Sequence, residues 1–186
     1  MKRSFDLLMS VFALVVLLIP AILVALIVRL TSKGPIIYWS DRVGQYNKVF
    51  KMPKFRTMCI DTPAIATHLM INAEQHLTPV GSFLRKSSLD ELPQLWSIMK
   101  GDMGFVGPRP ALFNQHDLIA LRTNQGVHKL VPGITGWAQI QGRDELLIPE
   151  KVEMDVYYLQ HRSLWFDLKI LGWTFYSVLT HKGVSH

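Results

Sequence analysis

The longest run of hydrophobic positions in the chain lies near its N-terminus. Residues 7–28 are almost wholly apolar, and about 20 apolar residues are enough for one helix to cross a bilayer. Basic residues bound the run at both ends: Lys2 and Arg3 before it, Arg29 and Lys33 after it. Pro20 lies inside the run and removes one backbone hydrogen bond, which favours a kink. The pattern therefore predicts a kinked membrane helix within residues 1–33.

The residues alone fit two topologies for this helix. It either spans the bilayer or forms a re-entrant hairpin that enters and returns on the same side. Basic residues prefer the cytoplasmic side, so basic flanks at both ends are satisfied by the hairpin. A signal peptide is disfavoured, because the run is longer than a typical apolar h-region and no small-residue cleavage site follows it. In both topologies we expect the rest of the chain on the cytoplasmic side, because it carries the larger basic excess.

Beyond residue 33, short elements alternate with turns rich in glycine and proline. Residues 36–39 and 49–52 predict two strands that form a hairpin around a turn at 44–47. Helices are predicted within 61–75, 78–85, 92–100, 111–123, 149–159 and 163–180. The last of these is so dense in aromatic and aliphatic residues that it suits a helix lying in the bilayer interface better than a core helix.

These elements predict a fold that is mainly α with a small β-hairpin (α+β). Interfacial amphipathic helices and the N-terminal membrane helix surround a compact cytoplasmic domain. At 186 residues the chain is expected to contain one domain of this kind. The expected division is a membrane helix at residues 1–33 and a membrane-associated cytoplasmic domain at residues 34–186.

Charge and cysteine content narrow the possible partners. The chain has 20 Lys and Arg against 14 Asp and Glu, a formal charge of +6, which suits an anionic partner such as a lipid surface or a nucleotide. Nucleic acid is disfavoured, because the basic residues are scattered and no nucleic-acid motif is present. The single Cys59 excludes an internal disulfide, and the seven histidines lie too far apart in sequence to indicate a zinc site.

Asp90 and Glu91 form an adjacent acidic pair at the predicted entrance of a helix. Ser88 and Glu91 have the spacing of a capping box, in which both side chains bond backbone amides of the first turn. The positive end of the helix dipole favours ionised carboxylates at this place. An isolated Asp-Glu pair is most often a solvated first turn, so the neighbouring segments decide how it is interpreted.

Those neighbouring segments favour phosphate chemistry. Arg85 and Lys86 precede the pair, and residues 101–110, rich in glycine and proline, follow it. Arg109 lies between two prolines, which restrict its backbone. Carboxylates beside a glycine-rich loop and a rigid arginine suit magnesium-dependent phosphate chemistry.

Several segments, in a fixed order, together resemble the bacterial sugar transferase family, the small monotopic phosphoglycosyl transferases. The segments are Lys54–Met58, Phe83–Lys86, Ser88–Gln94, Gly101–Met103, Val106–Pro110, Pro132–Gln139 and Asp167–Ile170. The chain departs from the family pattern at three positions. Ile19 stands where a serine usually precedes the proline, Gly104 replaces a serine, and Gln141 replaces an asparagine.

The resemblance implies a reaction. The protein would transfer a sugar-1-phosphate from a UDP-sugar to polyprenyl (undecaprenyl) phosphate and release UMP, as the first membrane step of bacterial glycoconjugate synthesis. Asp90 would be the nucleophile that carries the phosphosugar covalently, and Asp90 and Glu91 would hold Mg²⁺. The resemblance also favours the re-entrant form of the N-terminal helix.

Four cationic residues fall inside the resembling segments and are the candidate substrate-binding residues. Arg109 is expected to bind nucleotide phosphate, Arg85 to supply supporting charge, and Lys54 and Arg56 to support the phosphate or metal site. The expected location is the bacterial inner (cytoplasmic) membrane, with the catalytic domain on its cytoplasmic face. The expected partners are the UDP-sugar, the polyprenyl phosphate and the bilayer, and not nucleic acid; self-association into a homo-oligomer stays open.

Two other functions compete with this one. A membrane-bound glycosyltransferase would move the sugar without its phosphate and release UDP. A non-catalytic membrane adaptor would use the basic surface to recruit partners, but it would have no evident use for the glycine-rich and Pro-Arg-Pro loops.

Overall fold

A computed structural model describes residues 2–62, 73–142 and 146–180. Its helices are α1 (Lys2–Thr31), α2 (Gly81–Lys86), α3 (Leu95–Lys100), α4 (His116–Asn124), α5 (Trp137–Gln141), α6 (Ile148–His161) and α7 (Leu164–Thr180). Its strands are β1 (Ile37–Val43), β2 (Val49–Phe55), β3 (Gly104–Val106) and β4 (Gly133–Thr135). Short 3-10 helices lie at Gln45–Asn47, Ala73–His76, Leu89–Gln94 and Val127–Lys129. The prediction of a mainly helical fold with one small hairpin is confirmed.

Helix α1 continues through Pro20 as one helix of 30 residues. In the described part of the chain, it is the one helix that is long and apolar enough to cross a membrane. Its buried positions recur at helical spacing: Asp6, Ser10, Val24 and Val28. The opposite side exposes large apolar side chains, among them Leu8 at 73% and Val15 at 71%. One face of α1 therefore packs on the protein, and the other suits a lipid environment.

Both ends of α1 contact the rest of the protein. At the N-terminal end, Lys2 pairs with Asp167 of α7, and an Asp6 carboxylate oxygen accepts a bond from the Phe105 amide at 3.3 Å. At the C-terminal end, Val28 packs in a cluster with Phe55 of β2 and other residues of the domain. A helix of this length extends about 45 Å. The domain therefore contacts α1 near both ends of this helix.

Strands β1 and β2 form the predicted antiparallel hairpin, and each is longer than the sequence indicated. The pairing runs from Ile37 opposite Phe55 to Val43 opposite Val49. At the turn, Tyr46 and Asn47 both adopt positive φ, 55° and 58°. Two successive non-glycine residues in this region store backbone strain, which persists only where surrounding contacts hold it.

The parallel pair β3–β4 joins the two glycine-rich segments. Gly104 lies opposite Gly133, and Val106 lies opposite Thr135. A Cβ added at Gly107 would lie 2.4 Å from the carbonyl oxygen of Val131. Glycine is therefore required at this contact, because the two backbones approach more closely than any side chain allows.

Most of the predicted helices are present, with altered starts. Helix α4 begins at His116 and not at the predicted residue 111, because the chain first bonds to the hairpin: the Val43 amide donates to Ala111 O at 2.9 Å. Gly101 ends α3 with φ 99°, as predicted from its position. The helix predicted at 61–75 falls largely outside the described residues.

Candidate active site

The acidic pair lies on the 3-10 helix Leu89–Gln94, and not at the start of an α-helix. Ser88 precedes this helix with φ 56° and makes no capping bond with its side chain, so the predicted capping box is wrong. The reason is that Glu91 bonds cations instead of its own backbone. Its Oε1 accepts from Lys54 Nζ at 2.8 Å and from Arg109 Nη2 at 2.9 Å.

Glu91 is therefore held in its ionised form. Burial opposes ionisation, but the adjacent Arg109 and Lys54 charges outweigh it and hold the pKa of Glu91 well below its ordinary value. The carboxylate joins two segments far apart in sequence, since Lys54 belongs to β2 and Arg109 to the Pro-Arg-Pro loop. This ion pair fixes the Pro-Arg-Pro loop beside the acidic pair.

Asp90 has a different environment from its neighbour. Its residue is 6% exposed, and its nearest ion-pair partner is Lys54 Nζ at 3.8 Å. Burial raises the pKa of Asp90, and the charge of Glu91 raises it further against the opposing effect of Lys54, Arg109 and Arg85. Two adjacent carboxylates with pKa values shifted in opposite directions are typical of sites that give them different roles.

The Pro-Arg-Pro loop is braced from behind by a buried ion pair that sequence reasoning missed. Arg122 of α4 donates from Nη1 to the backbone oxygen of Arg109 at 2.8 Å. Its Nε and Nη2 both donate to Asp155 Oδ2, at 2.9 and 2.6 Å. Asp155 is 1% exposed on α6. Its position three residues after Val152, which is also buried, was the available signal.

The remaining predicted residues lie in two places. Arg85 donates from Nε to Thr57 Oγ1 at 3.0 Å, and its charge acts on Asp90. Arg56 is buried at the exit of α1, where it donates to Pro35 O at 2.7 Å and to both oxygens of Ser32. The structure thus brings together Lys54, Asp90, Glu91 and Arg109, with Arg85 nearby. Arg56 instead bonds the backbone at the exit of α1.

The donor set suits a metal ion that binds together with substrate phosphate. Among the described residues, no group of three or more His, Cys, Asp or Glu side chains is placed to hold a metal ion. Mg²⁺ is usually bound by one or two carboxylates, with phosphate and water completing its shell. Asp90 fits this pattern, because burial opposes its ionisation and a nearby cation would favour it. Glu91 fits as a second ligand only where it shares its oxygens with Lys54 and Arg109.

Comparison with known proteins identifies the family. The sequence profile described as "Bacterial sugar transferase" matches residues 1–181, almost the whole chain. The chain belongs to the bacterial sugar transferase family. The resemblance inferred from the motifs is thereby confirmed, and the protein is a transferase.

Individual relatives match along the whole chain. The "Uncharacterized sugar transferase EpsL" of Bacillus subtilis is 39% identical over 100% of this chain and 90% of its own length. The "UDP-glucose:undecaprenyl-phosphate glucose-1-phosphate transferase" of Escherichia coli is 39% identical over 98% of this chain. A "UDP-N-acetylgalactosamine-undecaprenyl-phosphate N-acetylgalactosaminephosphotransferase" of Aeromonas hydrophila is 34% identical, also over 98%. The chain spans only 41% and 44% of the lengths of the last two.

Proposed function

We propose that this protein transfers a sugar-1-phosphate from a UDP-sugar to undecaprenyl phosphate and releases UMP. One observation carries the proposal: a buried aspartate lies beside a glutamate whose Oε1 is paired with a lysine and with the arginine of a rigid loop. Both substrates are anionic, so a site that joins them needs fixed cations. The names of the Escherichia coli and Aeromonas hydrophila relatives support the same substrate classes.

Asp90 is the nucleophile in this proposal. An Asp90 carboxylate oxygen bonds the phosphorus next to the sugar, the bond from that phosphorus to the UMP oxygen breaks, and UMP leaves with the electron pair. An oxygen of the lipid phosphate then attacks the same phosphorus and releases the Asp90 carboxylate. The acyl phosphate formed between these steps is reactive, so one difficult displacement becomes two easier ones. Glu91 is less suited to this task, because Lys54 and Arg109 both bond its Oε1 and withdraw charge from the carboxylate.

The cationic side chains have different roles in binding the donor. Arg109 is assigned to the nucleotide phosphates, because its side chain is 44% exposed and anchored at the acidic pair. Lys54 and Arg85 favour the ionised form of Asp90 against the effect of its burial, and Arg56 supports the site from a distance by tying the end of β2 to the exit of α1. Asp90 and Glu91 would hold Mg²⁺, which supplies positive charge to the phosphates when it is bound.

We place the site on the cytoplasmic face of the inner membrane, with residues 1–33 as a re-entrant membrane helix and residues 34–186 as the catalytic domain. The contacts at both ends of α1 support a helix that does not cross the membrane. In a helix that crossed a bilayer of about 30 Å, Lys2 and Val28 would lie on opposite sides of the membrane, yet both contact the same domain. A helix that returns, or lies at the surface, keeps both contacts.

The released nucleotide tests the reaction. The full chain in vesicles that contain undecaprenyl phosphate would be assayed with a panel of UDP-sugars and Mg²⁺. The proposal expects UMP with at least one sugar and a phosphosugar on the lipid. UDP as the product would establish the competing glycosyltransferase, and no nucleotide release from any sugar would revive the adaptor.

The covalent step has its own test. Enzyme incubated with donor labelled in the phosphate next to the sugar, without lipid acceptor, should carry label on Asp90 by mass spectrometry. Asp41→Asn is the matched control and should still carry the label on Asp90. Asp41 is a partly exposed aspartate of β1 that pairs with Lys51. Product formation without label on the protein would replace the covalent route with a single displacement.

A further inference from the structure

The Pro-Arg-Pro loop, residues 108–110, is held by its carbonyl oxygens. Proline has no backbone N–H, so Arg109 carries the only amide hydrogen of the three residues. A loop of this kind is therefore anchored mainly by donors that reach its carbonyls. In the structure each of the three carbonyls accepts a hydrogen bond, and each bond comes from a different segment of the chain. The first comes from the Gly133 amide of β4, which donates to Pro108 O at 3.0 Å.

The other two carbonyls accept from arginine side chains. Arg122 of α4 donates from Nη1 to Arg109 O at 2.8 Å. Arg42 of β1 donates from Nη1 to Pro110 O at 3.1 Å. Hydrogen bonds from a guanidinium group are charge-assisted and stronger than those from a neutral donor. The backbone on both sides of the Arg109 side chain is thus fixed by two strong bonds on successive carbonyls.

Arg122 is in turn fixed by a buried carboxylate. Its Nε and Nη2 share Asp155 Oδ2, and the two side chains are only 12% and 2% exposed. The guanidinium is planar and rigid, so an ion pair along one edge sets the direction of the remaining nitrogen. Asp155 on α6 therefore determines where Arg122 points, and Arg122 determines where the backbone of Arg109 lies.

From this fixed backbone, the Arg109 side chain reaches the acidic pair. Its Nη2 bonds Glu91 Oε1 at 2.9 Å, while the side chain as a whole stays 44% exposed. Fixing the backbone in advance reduces the freedom that Arg109 must lose when it binds a phosphate. Small displacements of a substrate-binding group are costly, and about 1 Å can lower a rate by about 100-fold. The placement of this backbone is therefore expected to affect donor binding.

We propose that Arg122 and Arg42 are positioning residues for donor binding: they hold the Pro-Arg-Pro backbone where the Arg109 guanidinium meets the donor phosphates. The assignment rests on the proposed function, since it presumes a UDP-sugar donor. Neither arginine has to touch the substrate, because both act through Arg109. Their loss should therefore raise the KM for the UDP-sugar far more than it lowers kcat.

An apolar pair in place of the buried ion pair separates positioning from stability. Removing one partner of a buried ion pair is strongly destabilising, whereas replacing both by apolar residues of similar volume is often neutral. Arg122→Met alone should lower the melting temperature. Arg122→Met combined with Asp155→Leu should regain most of that loss, because leucine has the branched shape of aspartate. The KM should stay raised in both variants, by about 3- to 30-fold, because the bond to Arg109 O is absent from both.

Arg42→Met removes the other side-chain bond to the loop and leaves the Arg122–Asp155 pair in place. It should also raise the KM for the UDP-sugar. Arg162→Met is the matched control, since Arg162 is an exposed arginine directly after α6, and it should behave as wild type. UMP release against donor concentration, with the full chain in vesicles, gives KM and kcat. Circular dichroism in detergent gives the melting temperature.

Combination with Arg109→Ala shows whether the two arginines act through that residue. Arg109→Ala should itself raise the KM, and adding Arg122→Met with Asp155→Leu should raise it no further, because coupled residues are not additive. A fully additive rise would overturn the positioning role. A wild-type KM in the folded Arg122→Met, Asp155→Leu variant, or in Arg42→Met, would overturn the role of the arginine removed. A wild type that releases no UMP from any UDP-sugar would instead overturn the proposed function.

Discussion

Replacing Gly107 with alanine tests whether the close backbone contact between the two glycine-rich segments positions the site. The added Cβ would lie 2.4 Å from Val131 O and 2.9 Å from the Gly133 amide nitrogen. Both are backbone atoms, so no side-chain rotation relieves the clash. Strands β3 and β4 would have to separate, and two hydrogen bonds would be stretched: Gly107 N to Thr135 O at 2.9 Å and Gly133 N to Pro108 O at 3.0 Å.

The expected cost follows from these contacts. Overpacking in a close-packed region costs about 1–3 kcal/mol, and the two stretched backbone bonds together add about 1 kcal/mol. We expect Gly107→Ala to lower the free energy of unfolding by about 2–4 kcal/mol. For a chain of this size, that is a fall of about 5–15 °C in melting temperature. Arg109 lies two residues further on, so the KM for the UDP-sugar should also rise.

Thermal unfolding in detergent, followed by circular dichroism, measures the first effect, and UMP release against donor concentration measures the second. Gly172→Ala is the matched control. Gly172 is exposed on α7, and a Cβ there meets nothing within 4 Å. That variant should be neutral or slightly stabilising, since alanine favours helix more than glycine does. If Gly107→Ala unfolds at the wild-type temperature and keeps the wild-type KM, the close contact has no part in positioning the loop.

Three other substitutions follow from the acidic pair. Asp90→Asn should abolish transfer and leave no label on the protein, because an amide is a very poor nucleophile; substantial turnover in the UMP assay would contradict the covalent route. Glu91→Gln should reduce transfer strongly, because Lys54 and Arg109 lose the carboxylate that joins them; near-normal rates would mean that these ion pairs are not needed for the reaction. The raised pKa of Asp90 predicts that kcat falls on acidification at a higher pH than an ordinary aspartate would give, since the protonated form cannot attack. Lys54→Met should move that fall to still higher pH, because it removes a charge that favours ionisation, and an unchanged profile would mean that another group titrates.

The sequence predicted those features that depend on residues near one another in the chain. The length and polarity of the run at 7–28 predicted α1, and the turn at 44–47 between apolar segments predicted the β1–β2 hairpin. Gly101 marked the end of α3 because a positive φ is easy only for glycine. In each case one local property, either hydrophobic spacing or backbone freedom, was enough.

Features that depend on distant partners could not be predicted in this way. Glu91 has the spacing of a capping residue, and only the fold brings Lys54 and Arg109 close enough to compete for its carboxylate. Asp155 is buried on α6, and Arg122 of another helix makes its burial tolerable. Charge pairs of this kind leave little trace in local spacing, because either partner alone is typical of a surface.

Two neighbouring apolar residues after the acidic pair differ in exposure, and the exposed one suggests how the site meets the proposed lipid acceptor. Leu95 and Trp96 are neighbours in the helix predicted within 92–100, but Leu95 is buried and Trp96 is 58% exposed. An exposed tryptophan beside a membrane helix suits the interface, where its ring meets the lipid boundary. Trp96 follows Asp90 by six residues, on the helix that continues from the acidic pair. In the proposed reaction, bilayer contact at Trp96 would hold Asp90 near the depth of the lipid phosphate, so that this acceptor would reach the carboxylate without leaving the membrane.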